Sequence, residues 1–249
     1  MQFIDIHSHI LPGLDDGSFN REDSLEMARI AEADSVSHII CTPHAEPDCR
    51  YSAKDLSSVL ELTEKRLAEN GCAVALHPGQ EIFVRSSAVG ILGALRRGEL
   101  LTLAASRYVL VEFSVRETAE KIVRAAELLA SGGYTPVIAH PERYTAVAEE
   151  HGLAHELHAC GALLQLNKGS LTGFFGKTAE AAARRLLDSR QADFLASDAH
   201  SPFVRSPDLS EAHEWVSIHC SPEYADHLLC GNPLRVLNDE KITPVHNYH

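Results

Sequence analysis

Phe3-Ile4-Asp5-Ile6-His7-Ser8-His9 and Phe194-Leu195-Ala196-Ser197-Asp198-Ala199-His200 are apolar runs that end alike. In each, two side chains able to bind a metal stand two residues apart, and the two-residue period of a strand turns both toward one face. His7 with His9, and Asp198 with His200, are therefore placed to share an ion.

Between these brackets, strand-like runs near 2–7, 37–42, 73–77, 108–113, 135–140, 162–167 and 192–198 alternate with helical patterns near 21–35, 53–70, 117–132, 145–160, 177–190 and 208–230. Such alternation predicts parallel βαβ units, hence an α/β fold. Seven strands with no clear eighth, most ending in polar residues, predict a closed or nearly closed barrel whose active face gathers the strand C-termini. A doubly wound open sheet is the alternative. Asn20 ahead of Arg21-Glu22-Asp23 reads as a helix N-cap, and Gly132-Gly133 as a helix stop. The 85–107 stretch is ambiguous, with a short helix and then Leu100-Leu101-Thr102-Leu103 as strand or loop.

Further candidate ligands follow other apolar runs: His44 after Ile39-Ile40-Cys41, Glu81 after Val74-Ala75-Leu76, Glu112 after Val109-Leu110-Val111, and His140 after Val137-Ile138-Ala139. Asp16 lies instead in the Pro12-Gly13-Leu14-Asp15-Asp16-Gly17 turn, from which a short carboxylate can reach inward. One such residue at a strand end is ordinary, but so many in one chain point to a shared cause. His151, His155 and His158 have near-helical spacing and read as a solvated face. His77, beside Pro78-Gly79, is the nearest to a further ligand; His38, His213, His219, His227, His246 and His249 read as structural or exposed.

The 249 residues, 45% of them apolar, contain no Ser/Gly/Pro-rich linker and are expected to form a single domain over 1–249. No apolar run approaches the roughly 20 residues of a membrane span. The N-terminus opens directly on a strand, which predicts a cytoplasmic protein without direct membrane insertion. Cys41, Cys49, Cys72, Cys160, Cys220 and Cys230 are scattered without a CxxC pair, as expected of reduced thiols. A net charge of −13 disfavours nucleic acid as a partner.

A donor set of His and carboxylate without thiolate suits manganese, iron, zinc or nickel, and so many carboxylates favour manganese or iron. Nine candidates exceed one ion's needs and would serve two or three, with Glu81 a natural bridge. Three divalent ions against four ligand carboxylates leave a pocket of about +2, which favours a phosphate dianion. Two ions about 3.5–4 Å apart can hold a bridging hydroxide and polarise phosphoryl oxygens for in-line hydrolysis. Arg143, three residues after His140, and Arg205, five after His200, are candidate catalytic residues able to fork onto phosphate oxygens. His44 is also a candidate proton donor to the leaving group. Competing devices fail on inspection: position six after the cysteines is Pro47, Asp55, Pro78, Leu166, Asp226 and Val236, never the arginine of a thiol phosphatase. No Gly-x4-Gly-Lys-Ser/Thr loop or Gly-x-Ser-x-Gly elbow occurs either.

Asp5-Ile6-His7-Ser8-His9-Ile10-Leu11-Pro12-Gly13-Leu14-Asp15-Asp16-Gly17, Thr42-Pro43-His44, Gly79-Gln80-Glu81-Ile82, Val111-Glu112-Phe113, Val137-Ile138-Ala139-His140-Pro141-Glu142-Arg143-Tyr144 and Ser197-Asp198-Ala199-His200 resemble, in order, the CpsB/CapC/YwqE type of bacterial protein-tyrosine phosphatase. These belong to the polymerase and histidinol phosphatase (PHP) superfamily. The resemblance implies a distorted seven-stranded (β/α)7 barrel, TIM-barrel-like, with a manganese-dependent trinuclear site. It implies attack by a metal-bound hydroxide on phosphotyrosine, carried on the tail of a bacterial tyrosine kinase that controls capsule or exopolysaccharide synthesis. By motif, His7, His9, Glu81 and Asp198 would hold one ion, Glu81, Glu112 and His140 a second, and Asp16, His44 and His200 a third. Arg143 and Arg205 match the family's phosphate-binding arginines.

The chain departs from the family after His44, where Ala45-Glu46-Pro47-Asp48 predicts a less basic, acidic rim. Two other readings compete: a small-molecule, histidinol-phosphatase-like phosphomonoesterase, against which the Leu11–Gly17 turn argues, and a metal-stabilised kinase-binding scaffold without turnover.

Overall fold

Every strand pairing is parallel, and the strands form two sheets that feed their C-terminal ends toward one place. The computed structural model describes residues 2–46, 51–85 and 87–243. β1 (Phe3–Ser8), β2 (Val36–Cys41) and β4 (Ala75–Pro78) make a three-stranded sheet; β3 (His44–Ala45), β5 (Glu81–Phe83), β6 (Tyr108–Glu112), β7 (Thr135–Ala139), β8 (Leu163–Asn167) and β9 (Phe194–Ala196) make a six-stranded one in that order.

The seven expected runs are each found to within two residues, and two of them continue after a short break. Thr42-Pro43 separates β2 from β3, where a proline without an N–H cannot serve the ladder. Gly79-Gln80 separates β4 from β5. There a Cβ on Gly79 would stand 2.8 Å from Ile40 Cγ2, so only glycine lets the backbone pass that close. Hydrogen bonds also run between the sheets: His9 N donates to Ala199 O at 2.8 Å and Asp198 N to His7 O at 2.8 Å, around a parallel bridge between Ser8 and Ala199.

Apolar side chains fall into two clusters. The larger lies between strands and helices, as in Ile39, Val111, Ile138 and Leu195. The smaller joins Ile4, Ile6, Ile40, Leu110, Val137 and Phe194 to Tyr108 and Ile242. Tyr108 hydroxyl donates to Glu240 O at 2.5 Å and accepts from Ile242 N at 3.1 Å, tying the C-terminal segment to the starting ends of the strands. That leaves the opposite ends for the site.

Helices begin where their caps say. Asn20 Oδ1 accepts from Asp23 N at 2.9 Å to open Arg21–Ala33, and Gly132 closes Ala119–Ser131. The ambiguous stretch holds a helix at Ala88–Arg97 and a 3-10 turn at Leu103–Ala105. Two expected helices are broken. The 145–160 run divides into Thr145–Glu149 and Leu153–Ala159, restarting at Gly152. The 208–230 run stops at His219 and restarts behind Ser221-Pro222, with Ser221 Oγ accepting from Tyr224 N at 3.2 Å. The first break corrects the reading of His158: His151 and His155 are exposed, but His158 is buried and Nε2 lies 2.8 Å from Asp193 Oδ2. No helix among the described residues is long and apolar enough to cross a membrane.

Candidate metal centre

The nine candidate ligands come together at the C-terminal strand ends. His7 Nε2 and His9 Nε2 are 3.2 Å apart, and each stands 3.4 Å from both Glu81 Oε2 and Asp198 Oδ1. A point about 2.1 Å from each of His7 Nε2, His9 Nε2 and Asp198 Oδ1 exists at such spacing, the length of a metal bond to imidazole or carboxylate, and these three offer their donor atoms as one group. All four side chains are buried.

The tautomers suit this use. His7 Nδ1 donates to Gln165 Oε1 at 2.8 Å and His9 Nδ1 to Asp15 Oδ2 at 2.6 Å, so each ring turns an Nε2 lone pair to the centre. Gln165 is fixed in turn, since its Nε2 donates to Leu166 O at 2.8 Å and Asn167 Oδ1 at 2.9 Å. Asn167 Nδ2 donates to Asp198 Oδ2 at 2.5 Å. The Pro12–Gly17 turn sets Asp15: Ser18 N donates to His9 O at 2.9 Å, and a Cβ on Gly17 would stand 2.2 Å from that same oxygen. A larger residue at 17 would push the turn, and Asp15 with it, off His9.

Glu81 spreads its carboxylate over the cluster. Oε1 lies 2.9 Å from His140 Nε2, and Oε2 lies 2.9 Å from His44 Nδ1. Glu112 stands 3.5 Å from His140 Nε2 and 3.7 Å from His44 Nδ1. Asp16 Oδ1 is 3.4 Å from His44 Nε2 and 3.6 Å from His200 Nε2, although its side chain is 70% exposed. His44 thus stands between two groups, one with Glu81 and Glu112 and one with His9, Asp16 and His200, whose donor atoms lie within 4.8 Å of one another in each group.

Within the candidate ligand set, two buried atoms have no hydrogen bond, Glu81 Oε2 and His140 Nδ1. An orphaned carboxylate oxygen facing three imidazoles is costly unless a cation takes it up, so the donor set fits divalent metal. The charges agree. Burial works against a protonated His9, yet Asp15, Asp198 and Glu81 raise it well above the ordinary histidine value. Burial and the Glu81 charge push Glu112 up to about 7. Asp198 is held far below the usual carboxylate range by His7 and His9 in spite of its burial.

Both arginines reach the cluster. Arg143 Nη1 is 3.8 Å from Asp198 Oδ2; Arg205 Nη2 contacts that same oxygen, and its Nε donates to Asp198 O at 3.0 Å. Their guanidinium carbons lie 4.7 and 5.6 Å from the Phe175 ring centroid, within cation–π range. His140, Asp198 and Arg205 all have left-handed backbone, at φ 33°, 51° and 56°. Strain of this kind, about 1–3 kcal/mol per residue, is commonly retained where a site needs it. At His140 it starts the 3-10 turn Pro141–Arg143 that turns Arg143 back toward the centre.

The remaining histidines stay apart: His77 Nε2 lies 2.9 Å from His38 Nδ1 and His213 Nε2 2.7 Å from Asp226, while His219 stacks on Trp215. His246 and His249 fall outside the described residues. Of the expected acidic rim, Glu46 is paired bidentately with Arg85 at 2.7 and 2.8 Å, so its charge is compensated; Asp48 falls outside the described residues. Sequence reasoning missed Asp15, Gln165, Asn167 and Phe175. The signal for Gln165 and Asn167 was the same two-residue period that marked His7 and His9, within an otherwise apolar strand.

A family model described as "Capsular polysaccharide synthesis, CpsB/CapC" matches residues 3–238. The chain is 37% identical over 213 residues to the tyrosine-protein phosphatase YwqE of Bacillus subtilis (strain 168), covering 84% of this chain and 82% of that protein. It is 30% identical over 255 residues to the tyrosine-protein phosphatase CpsB of Streptococcus pneumoniae, covering 96% of this chain and 100% of that protein. A crystal structure from work on YwqE and CpsB, described as unique metal-dependent tyrosine phosphatases, superposes with a TM-score of 0.90 at 33% identity, over 98% of this chain and 97% of that one. A 5-methylcytosine deaminase from Klebsiella pneumoniae shares the fold alone, with a TM-score of 0.57 at 11% identity over 95% of this chain and 74% of that one.

Proposed function

The chain belongs to the CpsB/CapC family, and from that premise we propose that it is a metal-dependent protein-tyrosine phosphatase. The observation that carries the reading is the convergence of His7, His9, Glu81 and Asp198, each imidazole 3.4 Å from both carboxylates, beside two arginines stacked on one ring. Its substrate would be phosphotyrosine on the tail of a bacterial tyrosine kinase acting in capsule or exopolysaccharide synthesis. We place the activity in the cytoplasm, in one domain over 1–249 whose strand segments close as a distorted seven-stranded barrel. The bridge between Ser8 and Ala199 supports that closure, because it joins the two sheets at β1 and β9.

His7, His9, Glu81 and Asp198 would hold one ion, Glu81, Glu112 and His140 a second, and Asp16, His44 and His200 a third. Manganese suits this mixture of imidazole and carboxylate. Divalent ions held there supply Lewis acidity and a nucleophile at neutral pH. Arg143 and Arg205 bind the equatorial phosphoryl oxygens and stabilise the charge that develops on them. Phe175 holds the two guanidinium groups in register, and Asp15, Gln165 and Asn167 keep the donor atoms oriented. His44, with carboxylates beside both ring nitrogens, is assigned to the third site and is also the candidate proton donor to the leaving group, since an imidazole bound through one nitrogen keeps a proton on the other. A tyrosinate leaving group has a pKa of about 10 and departs with little protonation, so no residue acid is required.

The test is turnover of a phosphotyrosine peptide, an aryl phosphate and an alkyl phosphate by one purified, metal-analysed sample. Manganese-dependent hydrolysis of the first two, well above the third, is expected. Preference for the alkyl phosphate, or bound metal without turnover, would defeat the assignment.

A further inference from the structure

Next to the metal centre, a cleft of about 500 Å³ runs from Arg205 and Phe175 to the helix Ser210–His219. Its walls are aromatic where Phe174, Phe175 and Trp215 line it and acidic where Glu211 and Glu214 do. Resting on the phosphatase reading, we propose that this cleft receives the residues flanking phosphotyrosine in the substrate chain and selects a basic side chain there.

Continuity is the first argument. Arg205 and Phe175 belong to the cleft wall and also to the group facing Asp198, so a peptide whose phosphate lies on the arginines has its next residues at the cleft mouth. One residue of extended chain spans about 3.3–3.6 Å, so one or two residues are enough to enter.

Charge is the second. The cleft's own lysine is spent, because Lys168 Nζ pairs with Asp208 Oδ2 at 2.8 Å and donates to Asp208 O at 2.7 Å. Arg205 is directed at the metal cluster. Glu211 and Glu214 are exposed and make no ion pair among the described residues, which leaves the wall with uncompensated negative charge. Phe174, 56% exposed, offers an apolar surface along which an arginine or lysine stem can lie while its head meets the carboxylates. The acidic rim expected after His44 does not supply this charge, since Glu46 pairs with Arg85.

The experiment compares matched phosphotyrosine peptides with Arg, Gln or Glu on both sides of the phosphotyrosine, using the full chain with manganese and an aryl phosphate as control. kcat/KM should fall in the order Arg, Gln, Glu over a span of roughly tenfold, carried by KM and compressed at about 0.5 M salt. Glu211→Lys with Glu214→Lys should reverse the order while aryl phosphate turnover stays at the parent level, which also reports that the variant is folded. Equal rates for the three peptides in the parent would overturn the inference, as would a double variant that keeps the parent order. Absence of turnover on every substrate, aryl phosphate included, would remove the phosphatase reading and this inference with it, whereas charge-blind turnover removes only the inference.

Discussion

Gln165 and Asn167, two residues apart on β8, are hydrogen-bonded to each other at 2.9 Å and hold candidate ligands from two other strands. Gln165 Oε1 accepts from His7 Nδ1 and Asn167 Nδ2 donates to Asp198 Oδ2, so β8 orients the imidazole of β1 and the carboxylate that follows β9.

Gln165→Leu keeps the volume roughly constant but removes the acceptor that fixes the His7 tautomer. Loss of such a partner typically costs about 10- to 100-fold in metal affinity. Competition with a chelating dye should show manganese bound more weakly by that factor, with the fold unchanged by circular dichroism. Parent affinity in the variant would mean that Gln165 is only packing.

Arg143 and Arg205 share Phe175, which suggests a graded series. Arg143→Ala should lose about 2–4 kcal/mol of transition-state stabilisation, roughly 30- to 1,000-fold in kcat, with metal content unchanged. Phe175→Leu keeps an apolar support without the ring face and should lose about 0.5–2 kcal/mol, while Phe175→Tyr stays near the parent. If Leu and Tyr at 175 behave alike, the ring's electrostatics play no part in holding the arginines.

Most of the layout was legible in the sequence because it is periodic. A two-residue period placed His7 with His9, and alternation of strands with helices gave their order to within two residues. What escaped was non-local or set by a single atom. Nothing in the local sequence says that the Thr42-Pro43 and Gly79-Gln80 breaks let two strands resume in the other sheet, since a two-residue strand such as His44–Ala45 has no periodicity of its own. His158 looked solvated because its spacing assumed an unbroken helix, and the restart at Gly152 turned it onto Asp193 from a distant strand entry. Phe175 could be assigned only once the two arginines were seen over its ring.

Thiols should be irrelevant to activity. The five described cysteines are free, and burial raises each of their thiol pKa values, Cys230 to about 11. Protonated thiols react slowly, so iodoacetamide on the native, metal-loaded protein should leave aryl phosphate turnover within about twofold of untreated. A chelator should abolish that turnover and manganese restore it. Inactivation by alkylation with metals retained would contradict the His and carboxylate site.

Metal binding should release protons. In the metal-free protein, carboxylates raise His7, His9 and His44 above the ordinary histidine value although burial opposes this, and burial with the Glu81 charge pushes Glu112 up to about 7. Groups with raised pKa values still hold protons near neutral pH, and ligation requires the unprotonated donor. Burial lowers His140 and His200, so these are available without a proton to lose. The sign is therefore fixed: apparent affinity should rise with pH through about 7, where Glu112 gives up its proton, and should keep rising for as long as the raised histidines still hold theirs. Each proton released near pH 7 contributes a slope of about tenfold per pH unit, and roughly two to four are expected on full loading. Titration calorimetry of manganese into the metal-free chain, repeated in buffers of different ionisation enthalpy, counts them directly. Buffer-independent heats together with a flat affinity between about pH 6 and 8 would mean that the cluster is already deprotonated before the metal arrives, and that its imidazole–carboxylate contacts are not the ion pairs that raise these groups.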